Sequence, residues 1–134
     1  MNSSTITSVT IDELLAQARA EIGWRPTPGE LDNVVARGGI VVDIRPLDQR
    51  RRHGELPGAL VIDRNVLEWR LDPASPHRVV DVHEDQVVVL VCNEGYASTL
   101  AASVLRQLGI SGATDLAGGF QAWRASARPS ALLR

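Results

Sequence analysis

The aliphatic run at residues 87–91 limits the possible folds more than any other stretch of this 134-residue chain. Its five residues do not alternate with polar ones, which is typical of a strand covered on both faces in a parallel sheet. Cys92, the only cysteine, follows directly. The apolar spacing over residues 98–108 then predicts a helix that stops at Gly109. The sequence therefore predicts a strand, a short loop and a helix in succession.

The same alternation extends along the rest of the chain. Apolar runs predict further strands at residues 8–10, 40–42, 59–62 and 113–116. Capping boxes at Thr10 with Glu13 and at Thr27 with Glu30 predict two helices, over residues 10–20 and 30–36. Short helices are predicted at residues 47–53 and 64–70, with a last one from residue 118. Strands that alternate with helices indicate an α/β fold of three layers, with a mainly parallel central sheet and helices on both faces.

Length and composition indicate one domain, 1–134, and exclude several function classes. We expect residues 1–39 to form a helical extension packed on the sheet, residues 40–126 to hold the core, and residues 127–134 to form a tail. The net charge of -2 does not indicate a nucleic-acid-binding surface, and the absence of lysine excludes catalysis through a lysine Schiff base. One cysteine forms no internal disulfide, and no apolar run is long enough for a membrane span or a signal core. We therefore expect a cytoplasmic protein that does not contact membranes.

Cys92 has two interpretations at this point. A loop that precedes a helix presents unpaired N–H groups, and Gly95 lets the backbone curl so that several of them face inward. Such a loop stabilises a thiolate and makes the cysteine a nucleophile. However, a lone cysteine after an apolar strand is also often a small buried residue. The strand, loop and helix pattern alone leaves both interpretations open.

Four stretches of the sequence resemble the single-domain rhodanese family in their order and spacing. They are VVDIRP at 41–46, GELPGAL at 54–60, VCNEGYAS at 91–98 and LAGGFQAW at 116–123. The resemblance extends from residue 41 to about residue 126, and more loosely to the preceding part. It implies that Cys92 is a sulfur-carrying cysteine at the start of a six-residue active-site loop, 92–97. It also implies that Asp43 and Arg45 hold the loops near the site.

The resemblance implies a sulfurtransferase. Cys92 would carry sulfane sulfur as a persulfide, from a thiosulfate or persulfide donor to a thiol or cyanide acceptor. The implied partners are a small sulfur donor and a thiol acceptor, with a protein persulfide as another possible donor. No cofactor and no metal are required, and the three histidines show no motif spacing. The implied substrate-binding loop contains Asn93, Glu94, Gly95, Tyr96, Ala97 and Ser98.

Two residues of this loop depart from the family pattern. Ala97 stands where many members have a basic or hydroxyl residue, and Glu94 would repel a doubly charged donor if it faced the pocket. We therefore expect a persulfide to be a better donor than thiosulfate. Ala97 also argues against a cysteine phosphatase, which needs an arginine five residues after its cysteine. A non-catalytic docking or regulatory module remains the main alternative.

Overall fold

The computed structural model describes residues 7–126 and contains, within that range, one sheet of four parallel strands. The strands lie in the order β2-β1-β3-β4. Their bounds are β1 (Ile40–Asp43), β2 (Leu60–Val61), β3 (Val88–Val91) and β4 (Ala113–Asp115). The predicted parallel sheet is confirmed. Because all four strands run in one direction, their carboxyl ends meet at the same edge, where ligands of open α/β sheets bind.

Six α-helices and two short 3₁₀ helices connect the strands of the described region. The α-helices are α1 (Ile11–Ile22), α2 (Leu31–Ala36), α3 (Leu47–His53), α4 (Leu67–Leu71), α5 (Ala97–Gln107) and α6 (Gly119–Ser126). The 3₁₀ helices span Pro28–Glu30 and Arg64–Val66 and lead into α2 and α4. These elements confirm the predicted helices to within about two residues, the usual uncertainty of helix ends.

The strand predicted at residues 8–10 is wrong. This stretch has no strand partner, and Thr10 instead caps α1. The Thr10 hydroxyl accepts the Glu13 N–H at 3.1 Å, and the Glu13 carboxylate accepts the Thr10 N–H at 2.8 Å. Because the capping box takes up this N–H, it is not available for strand pairing. The predicted tail at 127–134 lies outside the described residues.

Two apolar layers cover the two faces of the sheet. In β3, Val88 and Leu90 face one layer, while Val89 and Val91 face the other. The first layer receives side chains from α1, α4 and α5, namely Ile22, Leu67, Leu71, Ala101, Ala102 and Leu105. The second receives side chains from α2 and α6, namely Leu31, Val34 and Phe120. Burial on both faces explains why the strands carry unbroken aliphatic runs, and it confirms the three-layer fold.

The segment between α1 and α2 passes along the edge strand β4 and its following loop. The Thr114 hydroxyl donates to the Trp24 carbonyl at 2.6 Å, and the Ala117 N–H donates to the Pro26 carbonyl at 2.9 Å. These bonds fix the intervening Arg25 beside the carboxyl end of β4. A residue from the N-terminal part of the chain is thereby brought to the edge of the sheet where Cys92 lies.

Candidate active site

Cys92 lies at the carboxyl end of β3, in the loop that leads into α5, and is 8% exposed. Its Sγ atom accepts the backbone N–H of Gly95 at 3.1 Å and that of Ser98 at 3.4 Å. Both donors come from the loop and the first turn of α5, because the backbone curls around the sulfur. Backbone N–H groups directed at one atom stabilise negative charge there. The loop can therefore hold an anionic sulfur without a charged side chain.

The start of α6 supports this loop from the other side. The Phe120 N–H donates to the Cys92 carbonyl at 2.8 Å, and the Gln121 N–H donates to the Asn93 carbonyl at 3.0 Å. The Gln121 side-chain amide also donates to the Asn93 side-chain carbonyl at 2.9 Å. N–H groups of the first turn of α6, which have no partner within the helix, thus donate to carbonyls of the cysteine loop. This arrangement fixes the loop carbonyls on the α6 side.

Glycines allow the loop and the start of α6 to approach closely. Gly95 has a φ of +88°, which side chains with a Cβ rarely adopt. A Cβ atom on Gly119 would lie 2.6 Å from the Cys92 carbonyl oxygen and 2.7 Å from the Gly95 nitrogen. The LAGGFQAW stretch therefore contributes the surface on which the cysteine loop rests.

A cavity of about 280 Å³ opens at the cysteine loop. It is lined by Ile44, Arg45, Pro46, Gln49, Arg64, Cys92, Asn93, Glu94, Tyr96 and Ala97. A larger cavity of about 560 Å³ borders Gly39 and Val87, next to the amino ends of β1 and β3. We assign the site to the smaller cavity, because it contains the only thiol of the chain.

The charged residues that line the smaller cavity have opposite signs. Arg64 forms an ion pair with Glu68 at 2.9 Å, whereas Glu94 is exposed beside the cysteine loop. Tyr96 is 59% exposed, and the guanidinium of Arg19 lies 5.8 Å from the centre of its ring. A carboxylate thus borders the entrance, with no arginine on the loop itself.

The buried pair of Asp43 and Arg45 lies beside the cavity. Arg45 donates to both carboxylate oxygens of Asp43, with an Nη2–Oδ2 distance of 2.8 Å. The same Nη2 atom donates to the Gly54 carbonyl at 2.9 Å. Arg45 therefore connects the end of β1 to the turn that follows α3.

Asp115, which the sequence reasoning missed, is fully buried at the carboxyl end of β4. Its Oδ1 atom accepts from Arg25 Nε at 2.7 Å. Its Oδ2 atom accepts from the hydroxyls of Ser98 at 2.7 Å and Thr99 at 2.8 Å. A carboxylate at the end of the last predicted strand was a usable signal, because the carboxyl ends of parallel strands share one edge. Arg25 gave no such signal, since it is 90 residues from Asp115 in sequence.

Two negative findings apply to residues 7–126 only. No group of three His, Cys, Asp or Glu side chains in this range is arranged to hold a metal ion. No helix in the same range is long and apolar enough to cross a membrane.

The chain belongs to the rhodanese-like domain family, whose family model matches residues 27–126. One solved structure is that of a Rhodopseudomonas palustris protein of unknown function, described as a possible tyrosine phosphatase. Its sequence is 29% identical to this chain, and the TM-score is 0.80. The match covers 96% of this chain and 99% of that chain. The human single-domain sulfurtransferase TSTD1 is 27% identical with a TM-score of 0.58, over 75% of this chain and 95% of that chain. The resemblance seen in the sequence is confirmed.

A curated relative is much longer than this chain. The adenylyltransferase and sulfurtransferase UBA4 of Candida albicans is 28% identical over 102 residues. The match covers 75% of this chain but 23% of UBA4. The chain therefore corresponds to about a quarter of that protein, and the similarity concerns a rhodanese-like domain rather than the whole of UBA4.

Proposed function

We propose that this protein is a sulfurtransferase that carries sulfane sulfur as a persulfide on Cys92. The observation that carries the proposal is the position of the Cys92 Sγ atom, which receives two loop N–H groups and lies at a cavity. The same N–H groups can stabilise the charge of a persulfide, because its outer sulfur is also anionic. Relatives described as sulfurtransferases support this assignment.

The reaction consists of two displacements. The Cys92 thiolate attacks the outer sulfur of the donor, an S–S bond forms, and the old S–S bond breaks. The leaving group takes the electron pair, as sulfite from thiosulfate or as a thiolate from a persulfide. An acceptor thiolate or cyanide then attacks the outer sulfur of the cysteine persulfide, and the Cys92 thiolate leaves with its electron pair. The sulfur is transferred without any net change at Cys92.

We propose a low-molecular-weight persulfide or a protein persulfide as the donor, and a thiol as the acceptor. Glu94 borders the cavity, and its charge opposes the entry of doubly charged thiosulfate. Of the two arginines that line the cavity, Arg45 pairs with Asp43 and Arg64 pairs with Glu68. The cytoplasm is the compartment that we propose, because thiols are kept reduced there.

Phosphate-ester hydrolysis is less well supported, although one relative is described as a possible tyrosine phosphatase. A cysteine phosphatase binds the phosphoryl group with a bidentate arginine. The residue five positions after Cys92 is Ala97. The arginines that line the cavity, Arg45 and Arg64, are engaged by Asp43 and Glu68. Nη1 of Arg45 is buried without a hydrogen-bond partner, but Arg45 follows β1, and the cysteine loop, where such phosphatases carry their arginine, has none.

Intact mass spectrometry tests the proposal. The reduced protein is exposed separately to thiosulfate and to glutathione persulfide, beside a Cys92→Ser control. We expect a gain of one sulfur that dithiothreitol removes, and no gain in the control. Reversal is needed because a sulfinic acid adds nearly the same mass and is not reduced.

Parallel measurements decide between the other functions. Hydrolysis of p-nitrophenyl phosphate that depends on Cys92, without sulfur loading, would replace the proposal with a phosphatase. If neither activity is found, the protein is a docking module, and a search for its partners follows.

A further inference from the structure

A chain of short hydrogen bonds connects the sulfur of Cys92 to Arg25. The Cys92 thiol donates to the Ser98 hydroxyl oxygen at 3.1 Å, and the Ser98 hydroxyl donates to Asp115 Oδ2 at 2.7 Å. Arg25 donates to the two oxygens of Asp115 at 2.7 and 3.1 Å. Ser98, Thr99 and Asp115 are almost completely buried, so these bonds are shielded from water. Hydrogen bonds that involve a buried charge are strong and directional.

The single hydrogen of the Ser98 hydroxyl has two possible acceptors. Because a carboxylate can only accept, the Ser98 hydroxyl donates to Asp115 Oδ2, and the Ser98 oxygen is then the acceptor for the Cys92 thiol. When Cys92 loses its proton, the sulfur can no longer donate to Ser98, and the Ser98 hydrogen can turn toward it. Asp115 then keeps its bonds to Arg25, and the single Thr99 hydrogen has Asp115 Oδ2 at 2.8 Å and the Gly95 carbonyl at 3.1 Å as acceptors. The Asp115 carboxylate therefore competes with the thiolate for the Ser98 hydrogen.

Two arginines of the N-terminal part also hold the cysteine loop. Arg19 and Arg25 each donate from Nη2 to the Gly95 carbonyl, at 3.0 and 3.1 Å. The same Gly95 donates its N–H to Cys92 Sγ. Since the carbonyl and the N–H belong to one short loop, fixing the carbonyl restricts the direction of the N–H. Arg25 is thus linked to Cys92 by two routes, through Asp115 with Ser98 and through Gly95.

We infer that Asp115 and Arg25 are positioning residues for Cys92. Asp115 sets the direction of the Ser98 hydroxyl hydrogen, while Arg25 compensates the buried carboxylate and fixes the Gly95 carbonyl. This inference rests on the proposed function, in which the Cys92 thiolate is the nucleophile. It assigns part of the reactive site to the segment between α1 and α2, which lies outside the core motifs seen in the sequence.

The other charged groups near Cys92 come from several elements. Arg45, which pairs with Asp43, and Arg64, which pairs with Glu68, line the same cavity. Glu94 lies on the loop, and Arg19 binds the Gly95 carbonyl from α1. All of these groups remain in the variants proposed below. A change in the titration of Cys92 can therefore be assigned to Asp115 and Arg25.

The test is the pH dependence of Cys92 alkylation by iodoacetamide in the full-length protein, followed by intact mass. Asp115→Asn removes a negative charge and frees the Ser98 hydrogen, so the midpoint of the alkylation profile should fall by roughly one pH unit. Arg25→Gln removes a positive charge and leaves Asp115, so the midpoint should rise by a similar amount. In a Ser98→Ala background, the effect of Asp115→Asn should become smaller.

The double variant Arg25→Gln/Asp115→Asn keeps the test valid if Arg25→Gln does not fold, because it leaves no unpaired buried charge. Its midpoint should lie above that of Asp115→Asn. The control pair is Arg78 and Asp81, which have the same Nε–Oδ1 distance of 2.7 Å; Arg78 also donates to the Ser75 carbonyl rather than to Gly95. Arg78→Gln and Asp81→Asn should leave the profile unchanged.

The inference would be overturned if the alkylation midpoints of the two single variants shifted in the same direction. It would also be overturned if the midpoints stayed unchanged while the melting temperature fell, because the pair would then have a purely structural role. A shift of equal size in the control variants would overturn it as well. Alkylation needs no sulfur donor, so its result is independent of the sulfur-loading experiment. Failure of sulfur loading would thus reject the proposed function separately from the positioning roles.

Discussion

The guanidinium of Arg45 lies 3.7 Å from the ring centre of Phe120, and its edge binds the buried carboxylate of Asp43. This contact joins the segment that follows β1 to α6, which in turn supports the cysteine loop. Both partners of the ion pair are fully buried, so removal of one charge leaves the other without compensation.

Asp43→Asn should therefore lower the free energy of unfolding by about 3–5 kcal/mol. Urea denaturation measures the change. The matched control is Asp48→Asn, which breaks the exposed Asp48–Arg52 ion pair on α3 and should cost about 0.5 kcal/mol or less. Equal losses in the two variants would contradict the structural role of the buried pair.

Gly95→Ala should destabilise the protein and slow the sulfur loading of Cys92. A Cβ atom at this position would lie 2.9 Å from the Gly118 nitrogen, and the φ of +88° adds strain. Gly38 has nearly the same φ, +89°, but its Cβ would meet no atom within 4 Å. Gly38→Ala should cost about 1–2 kcal/mol from strain alone, with normal loading. A loading rate that is equally low in both variants would argue against a contact effect at Gly95.

Glu94→Gln should raise kcat/KM for thiosulfate by roughly twofold to fivefold, since a screened interaction between exposed charges amounts to about 0.5–1 kcal/mol. The gain should be smaller with a persulfide donor and should decrease at high salt. Steady-state kinetics with both donors measure it. Glu84→Gln, an exposed carboxylate at the larger cavity, is the control and should change neither value. An equal gain with both donors would show that Glu94 does not select between them.

The capping box of α1 should contribute to stability in a pH-dependent way. The Glu13 carboxylate is hydrogen-bonded to the Thr10 N–H and, with a smaller effect, to the Thr10 hydroxyl. These bonds hold the pKa of Glu13 below its ordinary value. A lowered pKa in the folded state adds stability above the unfolded pKa, and this stability is lost as the pH falls through the folded pKa. Glu13→Ala should therefore lower the melting temperature more at neutral pH than at about pH 3. Thermal melts of the wild type and the variant at both pH values check this. A drop in melting temperature of equal size at the two pH values would contradict it.

Much of the fold follows from local patterns in the sequence. Unbroken aliphatic runs identified β1 and β3, and the capping boxes of Thr10 and Thr27 identified the starts of two helices. The error at residues 8–10 has a local reason too, because an extended capping segment and a short strand share the same backbone conformation. Only pairing with another strand distinguishes them, and pairing is not a local property.

For the site, the sequence by itself determined that Cys92 follows a buried strand and precedes a helix, where loop N–H groups can face the sulfur. The tertiary structure alone decided which side chains surround that loop. Arg25 is 90 residues from Asp115 and 70 from Gly95 in sequence, yet hydrogen bonds join it to both. Hydrophobic periodicity shows which faces are buried, but an ion pair needs two groups within a few ångströms. That distance is set only when the helical layers pack on the sheet.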